Sequence, residues 1–136
     1  MALTQNQPRD YQIGKREDYP IAADSVIYEG AAVGENGSGF ARPLQAADVF
    51  LGFAICEEEN AGTAGAKNIS VHQYGKITLQ VTGVADITAN NRPAVYASDD
   101  NTFTLTSTGN SKIGHVSRHI DGAMCVVEFD ALASLA

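Results

Sequence analysis

His115 and His119 are the residues whose spacing comes nearest to a metal site in this 136-residue sequence, with His72 the third imidazole. Four residues apart on a helix, two histidines share a face and can hold zinc. KIGHVSRH carries no helical period and reads as a strand, where four residues rise about 13 Å at ~3.3 Å each. Two imidazoles so far apart cannot share an ion bound at about 2 Å. Cys56 is followed by Glu57-Glu58-Glu59, and neighbouring negative charge raises a thiol pKa when a nucleophile needs it lowered. Cys125, between Met124 and Val126, is expected to be buried, which acts in the same direction; no disulfide is expected. There is no Gly-x-Ser-x-Gly elbow. The glycine-rich stretch Gly34-Glu35-Asn36-Gly37-Ser38-Gly39 joins two strands and lacks the following Lys-Ser/Thr of a phosphate cradle. The carboxylates Glu57–Glu59, Asp99–Asp100 and Asp121 fall at strand ends or turns, without the spacing of a calcium loop. We therefore expect no catalytic residue, no metal and no cofactor, and a protein that is not an enzyme.

The composition is 44% hydrophobic with no Trp, so Val, Ile, Leu and Ala must fill the core. Thirteen glycines among Asn, Asp, Ser and Thr clusters indicate many tight turns. The net charge of −7 disfavours a nucleic-acid partner, which needs Lys and Arg to displace counterions. Residues 1–18 balance Arg9, Lys15 and Arg16 against Asp10, Glu17 and Asp18, leaving 9 − 3 = 6 basic and 16 − 3 = 13 acidic residues on the remainder. That acidic body is compatible with a basic protein partner. No signal peptide is expected, and no apolar run approaches the ~18 residues of a membrane helix.

The elements that carry these residues come in two similar sets. Val33, Phe40, Gly52-Phe53-Ala54 and Ile69-Ser70-Val71 recur as Val95, Phe103, Gly114-His115-Val116 and Cys125-Val126-Val127. Strands are expected at 25–33, 40–44, 49–57, 68–82, 93–98, 102–107, 111–118 and 123–130. Gly75, inside the long alternating stretch NISVHQYGKITLQVTG, marks a bulge or a bend where the strand changes partner. ADITANNRP, between the copies, suits one helical turn. The expected class is all-β, a small barrel or compact two-sheet body built from two similar β units. The body is placed at 25–130, with pseudo-repeats at about 30–74 and 92–129 and a tail at 131–136.

Residues 1–24 read as an extended N-terminal arm. The segment is polar, contains Pro8 and Pro20, and shows neither strand nor helical period. Tyr11 and Ile13 share one side of an extended chain, as do Tyr19 and Ile21. These four are the expected anchors on a partner, with Arg9, Lys15 and Arg16 adding charge contacts.

The order of motifs resembles the small capsid cement, or head-decoration, proteins of tailed bacteriophages. The likeness spans about 20–130 and rests on Val26-Ile27-Tyr28-Glu29-Gly30-Ala31-Ala32-Val33, Phe50-Leu51-Gly52-Phe53-Ala54 and Ile69-Ser70-Val71-His72-Gln73-Tyr74-Gly75-Lys76-Ile77. It continues through Arg92-Pro93-Ala94-Val95-Tyr96, Thr106-Ser107-Thr108-Gly109-Asn110 and Ile113-Gly114-His115-Val116. The chain departs from the pattern in its longer, more charged arm and its wider loop at 57–67. The resemblance implies a structural virion protein, made in the host cytoplasm, that binds the major capsid protein on the outer surface of the mature head and stabilises it. It further implies a homo-oligomer, a trimer favoured over a dimer, with no nucleic acid or membrane as partner. A tail or baseplate β module, or a host- or carbohydrate-binding domain, is the alternative.

Overall fold

The computed structural model describes residues 4–6 and 15–135. The chain is almost wholly strand, as its alternating segments require. The first unit comprises β1 (Arg16–Pro20), β2 (Ser25–Ile27), β3 (Ala32–Glu35), β4 (Ala41–Pro43), β5 (Val49–Ala54), β6 (Glu58–Asn60) and β7 (Asn68–His72). The second comprises β8 (Tyr74–Thr82), a short helix α1 (Asp86–Asn90), β9 (Ala94–Asp99), β10 (Thr102–Thr104), β11 (Ser111–Asp121) and β12 (Met124–Asp130). A 3₁₀ turn at Ala133–Leu135 follows.

Five strands of the first unit form a sheet in the order β1-β7-β5-β3-β4, and five of the second close a barrel in the order β10-β8-β12-β11-β9. These orders are the same once β1 is matched to β8, β3 to β9, β4 to β10, β5 to β11 and β7 to β12. The registers agree residue by residue. Arg16 faces His72 and Tyr19 faces Ile69, as Lys76 faces Glu128 and Leu79 faces Cys125. Val33 faces Gly52 as Val95 faces Gly114. Ile21 N–H donates to Lys67 O at 2.9 Å, and at the matching place Val81 N–H donates to Ala123 O at 2.8 Å. The second unit closes by parallel pairing of Phe103 with Val81, and the first by a single parallel bridge between Ile21 and Ala41.

The units differ in their connections. In the first, β2 pairs with β6 across the long link that follows β5. Buried Asn60 holds this link through its side chain, whose Nδ2 donates to Ile21 O at 3.0 Å and Thr63 O at 3.0 Å while its Oδ1 accepts from Gly62 N–H. In the second unit α1 replaces β2, and Gly122 at φ 55° turns β11 directly into β12. The strand expected at 68–82 is divided at Gln73. Its halves belong to different units, and Gly75, with φ 153°, sits just past the break. The strand expected at 25–33 is likewise divided, at a turn through Gly30 with φ 83°.

Burial follows the period-two alternation. Ile21, Ile27, Val33, Ala41, Ala54, Ile69 and Val71 fill the first unit. Val81, Val95, Ala97, Ile113, Val116, Cys125 and Val127 belong to the second core, together with Phe50 and Phe53 from the first unit. Strands β3 and β5 are thus apolar on both faces: Val33 points into one core and Ala32 into the other. At this seam Phe53 lies edge-on to Phe129 with ring centroids 4.9 Å apart, and Phe50 to Phe53 at 5.4 Å, the geometry aromatic quadrupoles favour. The seam packs the two units against each other through one shared apolar cluster.

The expected arm of 1–24 is corrected in its second part. Residues 16–20 are a paired strand and Ile21 is wholly buried, so the body begins at Arg16 and not at Ser25. The repeats accordingly run from β1 to β7 and from β8 to β12, wider than the expected 30–74 and 92–129. The physical cause is the alternation Glu17-Asp18-Tyr19-Pro20-Ile21: Tyr19 and Ile21 face the core as Leu79 and Val81 do in the second copy.

Candidate partner-binding surface

Seven residues were expected to contact a partner. Arg9, Tyr11 and Ile13 lie outside the described residues. Tyr19 and Ile21 are not free anchors. Ile21 is part of the first core, and Tyr19 packs against that core with its hydroxyl accepting from Gln73 Nε2 at 2.7 Å. Burial, then the charge on Glu17, pushes the Tyr19 phenol above its ordinary pKa. Arg16 is exposed at the start of β1, opposite His72.

Lys15 is placed with residues the sequence reading did not gather. Its backbone carbonyl accepts from Gln73 N–H at 2.6 Å, and its Nζ lies 4.6 Å from the centroid of the Tyr74 ring, a cation–π contact. This places the start of the described body at the mouth of a cleft of about 560 Å³ between the beginning of β8, the end of β12, the beginning of β11 and the C-terminal turn. Strand alternation turns Tyr74 and Lys76 outward from β8, and Lys112 and His115 reach the cleft from β11. Phe129, nearly buried, and Gly75 also line it.

Three lysines thus converge on a chain of net charge −7. Glu128 and Asp130 share the cleft, but Asp130 is engaged in capping the last turn, accepting from the N–H groups of Leu132 and Ala133 at 3.1 Å each. Among the described residues the ion pairs are Arg42–Asp48 at 2.7 Å and Lys67–Glu58 at 3.6 Å, so Lys15, Lys76 and Lys112 form none. Ammonium groups outside those ion pairs, beside an aromatic ring, can meet a carboxylate. Widely separated sequence positions hid this cluster.

The groups considered for catalysis remain apart. His119 Nε2 lies 2.9 Å from Gly122 O at the hairpin tip, whereas exposed His115 faces the cleft. Among the described residues no three His, Cys, Asp or Glu side chains gather as a metal site. Both cysteines are free. Cys125 is buried, which pushes its thiol pKa up, while Cys56 is exposed beyond the end of β5. Gly34 and Glu35 end β3, and the turn to β4 follows, in which Asn36 Oδ1 accepts from Ser38 N–H at 2.8 Å. Comparison with known families and with curated proteins finds no family model and no relative that matches this chain.

Proposed function

We propose that this protein is a capsid cement protein of a tailed bacteriophage, binding the major capsid protein on the outside of the expanded head as a homo-oligomer. The resemblance of motif order over residues 20–130 suggests the reading. The observation that carries it is the cleft lined by Lys15, Lys76, Lys112 and Tyr74, beside the start of the described body at Lys15. Two units joined by a close-packed apolar seam suit bracing, because such interiors have low compressibility and transmit strain. Each contact can be modest, since many copies on one lattice add their effects. Recognition then uses two parts: the cleft, and residues 2–14 with Arg9, Tyr11 and Ile13.

The test is occupancy on purified expanded heads that lack the protein. The full chain should saturate them. A chain lacking residues 2–14, and one carrying Lys76→Glu with Lys112→Glu, should each bind at least about tenfold more weakly, a loss of roughly 1.4 kcal/mol. Equal occupancy by all three would refute the assignment of the contact surface, and no occupancy by the full chain would refute the function.

A further inference from the structure

Where the two units meet, the turn from β2 to β3 lies against the tip of the β9–β10 hairpin. Between them is a cleft of about 400 Å³ lined by Tyr28, Glu29, Gly30, Ala31, Asp100 and Asn101. Backbone bonds fix both walls. Tyr28 O accepts from Ala31 N–H at 3.1 Å, and Gly30 has φ 83°, the conformation a type II turn requires of its third residue. Gly30 N–H donates to Ala54 O, and Ala32 N–H to Asp100 O, at 2.9 Å each. The first turn is thus tied to the end of β5 and the hairpin tip to the start of β3. The cleft combines an exposed ring with two carboxylates and no cation. Tyr28 is 60% exposed. Glu29 is exposed and Asp100 half-buried. Neither belongs to the ion pairs found among the described residues, and no Lys, Arg or His lines the cleft. The neighbouring Asp99 is turned back on its own hairpin, its Oδ1 accepting from Asn101 N–H at 2.8 Å and its Oδ2 from Thr102 Oγ1 at 3.0 Å. In the first unit the matching β3–β4 turn folds its carboxylate back too, Glu35 accepting from Gly39 N–H. Asp100 differs from both. Burial, then the charge on Asp99, disfavours its ionised form, and a cation in the cleft would offset that cost. Among the described residues no three carboxylate, imidazole or thiol groups gather, so the ligand set of a divalent ion is lacking.

We propose that this cleft is a subsite for the guanidinium group of an arginine presented by a partner protein. The planar cation stacks on the Tyr28 ring and directs its fork of N–H donors at the carboxylates of Asp100 and Glu29. A lysine ammonium is compact and strongly hydrated, and offers neither the stacking plane nor the fork. The net charge of −7 draws such a partner in. Because both turns are already held by backbone bonds, little ordering is needed when the cation enters. The site shares no residue with the lysine-lined cleft and takes the opposite charge, and its assignment does not rest on the proposed function.

Titration of the isotope-labelled full chain with N-acetyl-argininamide, read by backbone amide chemical shifts, tests the site. The signals of Gly30, Ala31 and Asn101 should move and saturate, while those of the acidic run Glu57-Glu58-Glu59 should not. N-acetyl-citrullinamide, of the same shape without the charge, should move none of them. N-acetyl-lysinamide should bind more weakly by about threefold, for want of stacking. Asp100→Asn and Glu29→Gln should each weaken binding about tenfold, the loss of a charge-assisted hydrogen bond, and Tyr28→Ala about threefold. All three variants change side chains at the rim of the cleft and should keep the wild-type spectrum elsewhere. No shift at Gly30 and Asn101 would overturn the proposal, as would equal shifts at every acidic stretch or equal binding of the lysine and arginine compounds. So would undiminished binding by Asp100→Asn, or a stronger response of the same amides to calcium chloride.

Discussion

Gly52 meets the carbonyl of His72 as Gly114 meets the carbonyl of Glu128. In both units a Cβ at the glycine would collide with the backbone of the next strand. The close approach is what lets β5 lie against β7 and β11 against β12. Gly52→Ala and Gly114→Ala should each cost about 2–3 kcal/mol by overpacking, lowering the melting temperature by roughly 10 °C. Gly62→Ala, where the added methyl meets ordinary contacts at 3.5 Å, should leave it within a degree or two. Calorimetry of the three variants checks this.

The boundary at Arg16 predicts where truncation becomes harmful. Removing residues 2–14 should leave the melting temperature unchanged. Removing 2–21 takes away β1 and the Ile21–Ala41 bridge, and should abolish cooperative unfolding. Ile21→Ala in the full chain should cost about 3 kcal/mol, the range for truncating a buried Ile. Denaturant titration distinguishes these outcomes; a cooperative, stable 22–136 chain would show that β1 is dispensable.

Asp100 should make stability pH-dependent in an unusual sense. Burial, then the charge on Asp99, raises its pKa. With the folded value above the unfolded one, the folded state holds the proton better. The associated stability is full below the unfolded pKa and is lost as pH rises through the folded pKa. Asp100→Asn should therefore melt higher than wild type at neutral pH and match it below about pH 3. The backbone carbonyl that accepts from Ala32 N–H at 2.9 Å remains in place. Thermal melts of both proteins across pH suffice.

Alkylation should separate the two thiols. Cys56 is exposed and Cys125 wholly buried with a raised pKa. Intact-mass measurement should show one adduct on native protein and two in denaturant. Two adducts under native conditions would mean that β12 opens readily.

Much of this architecture was legible because strong alternation survives in both copies. Gly52-Phe53-Ala54 and Gly114-His115-Val116 betray the duplication, and Gly75 marks the place where one apparent strand becomes two. Strand β1 was hidden because its copy of the pattern is diluted. Ile77, Leu79 and Val81 form an apolar series, whereas Glu17, Tyr19 and Ile21 begin with a charge, and Pro20 breaks the usual strand vocabulary. Tyr19 and Ile21 suit a partner as well as the core, because an extended chain offers the same alternation whether it meets another protein or its own sheet. The cleft was illegible because Lys15, Lys76 and Lys112 meet only after both units fold.

The most direct test of the proposed bracing role is the rupture temperature of genome-filled heads with and without the bound protein, read as release of DNA to an intercalating dye. Heads coated with the full chain should hold their DNA to a higher temperature than bare heads, and heads mixed with the Lys76→Glu, Lys112→Glu chain should behave as bare ones. Identical rupture of coated and bare heads at full occupancy would contradict the account.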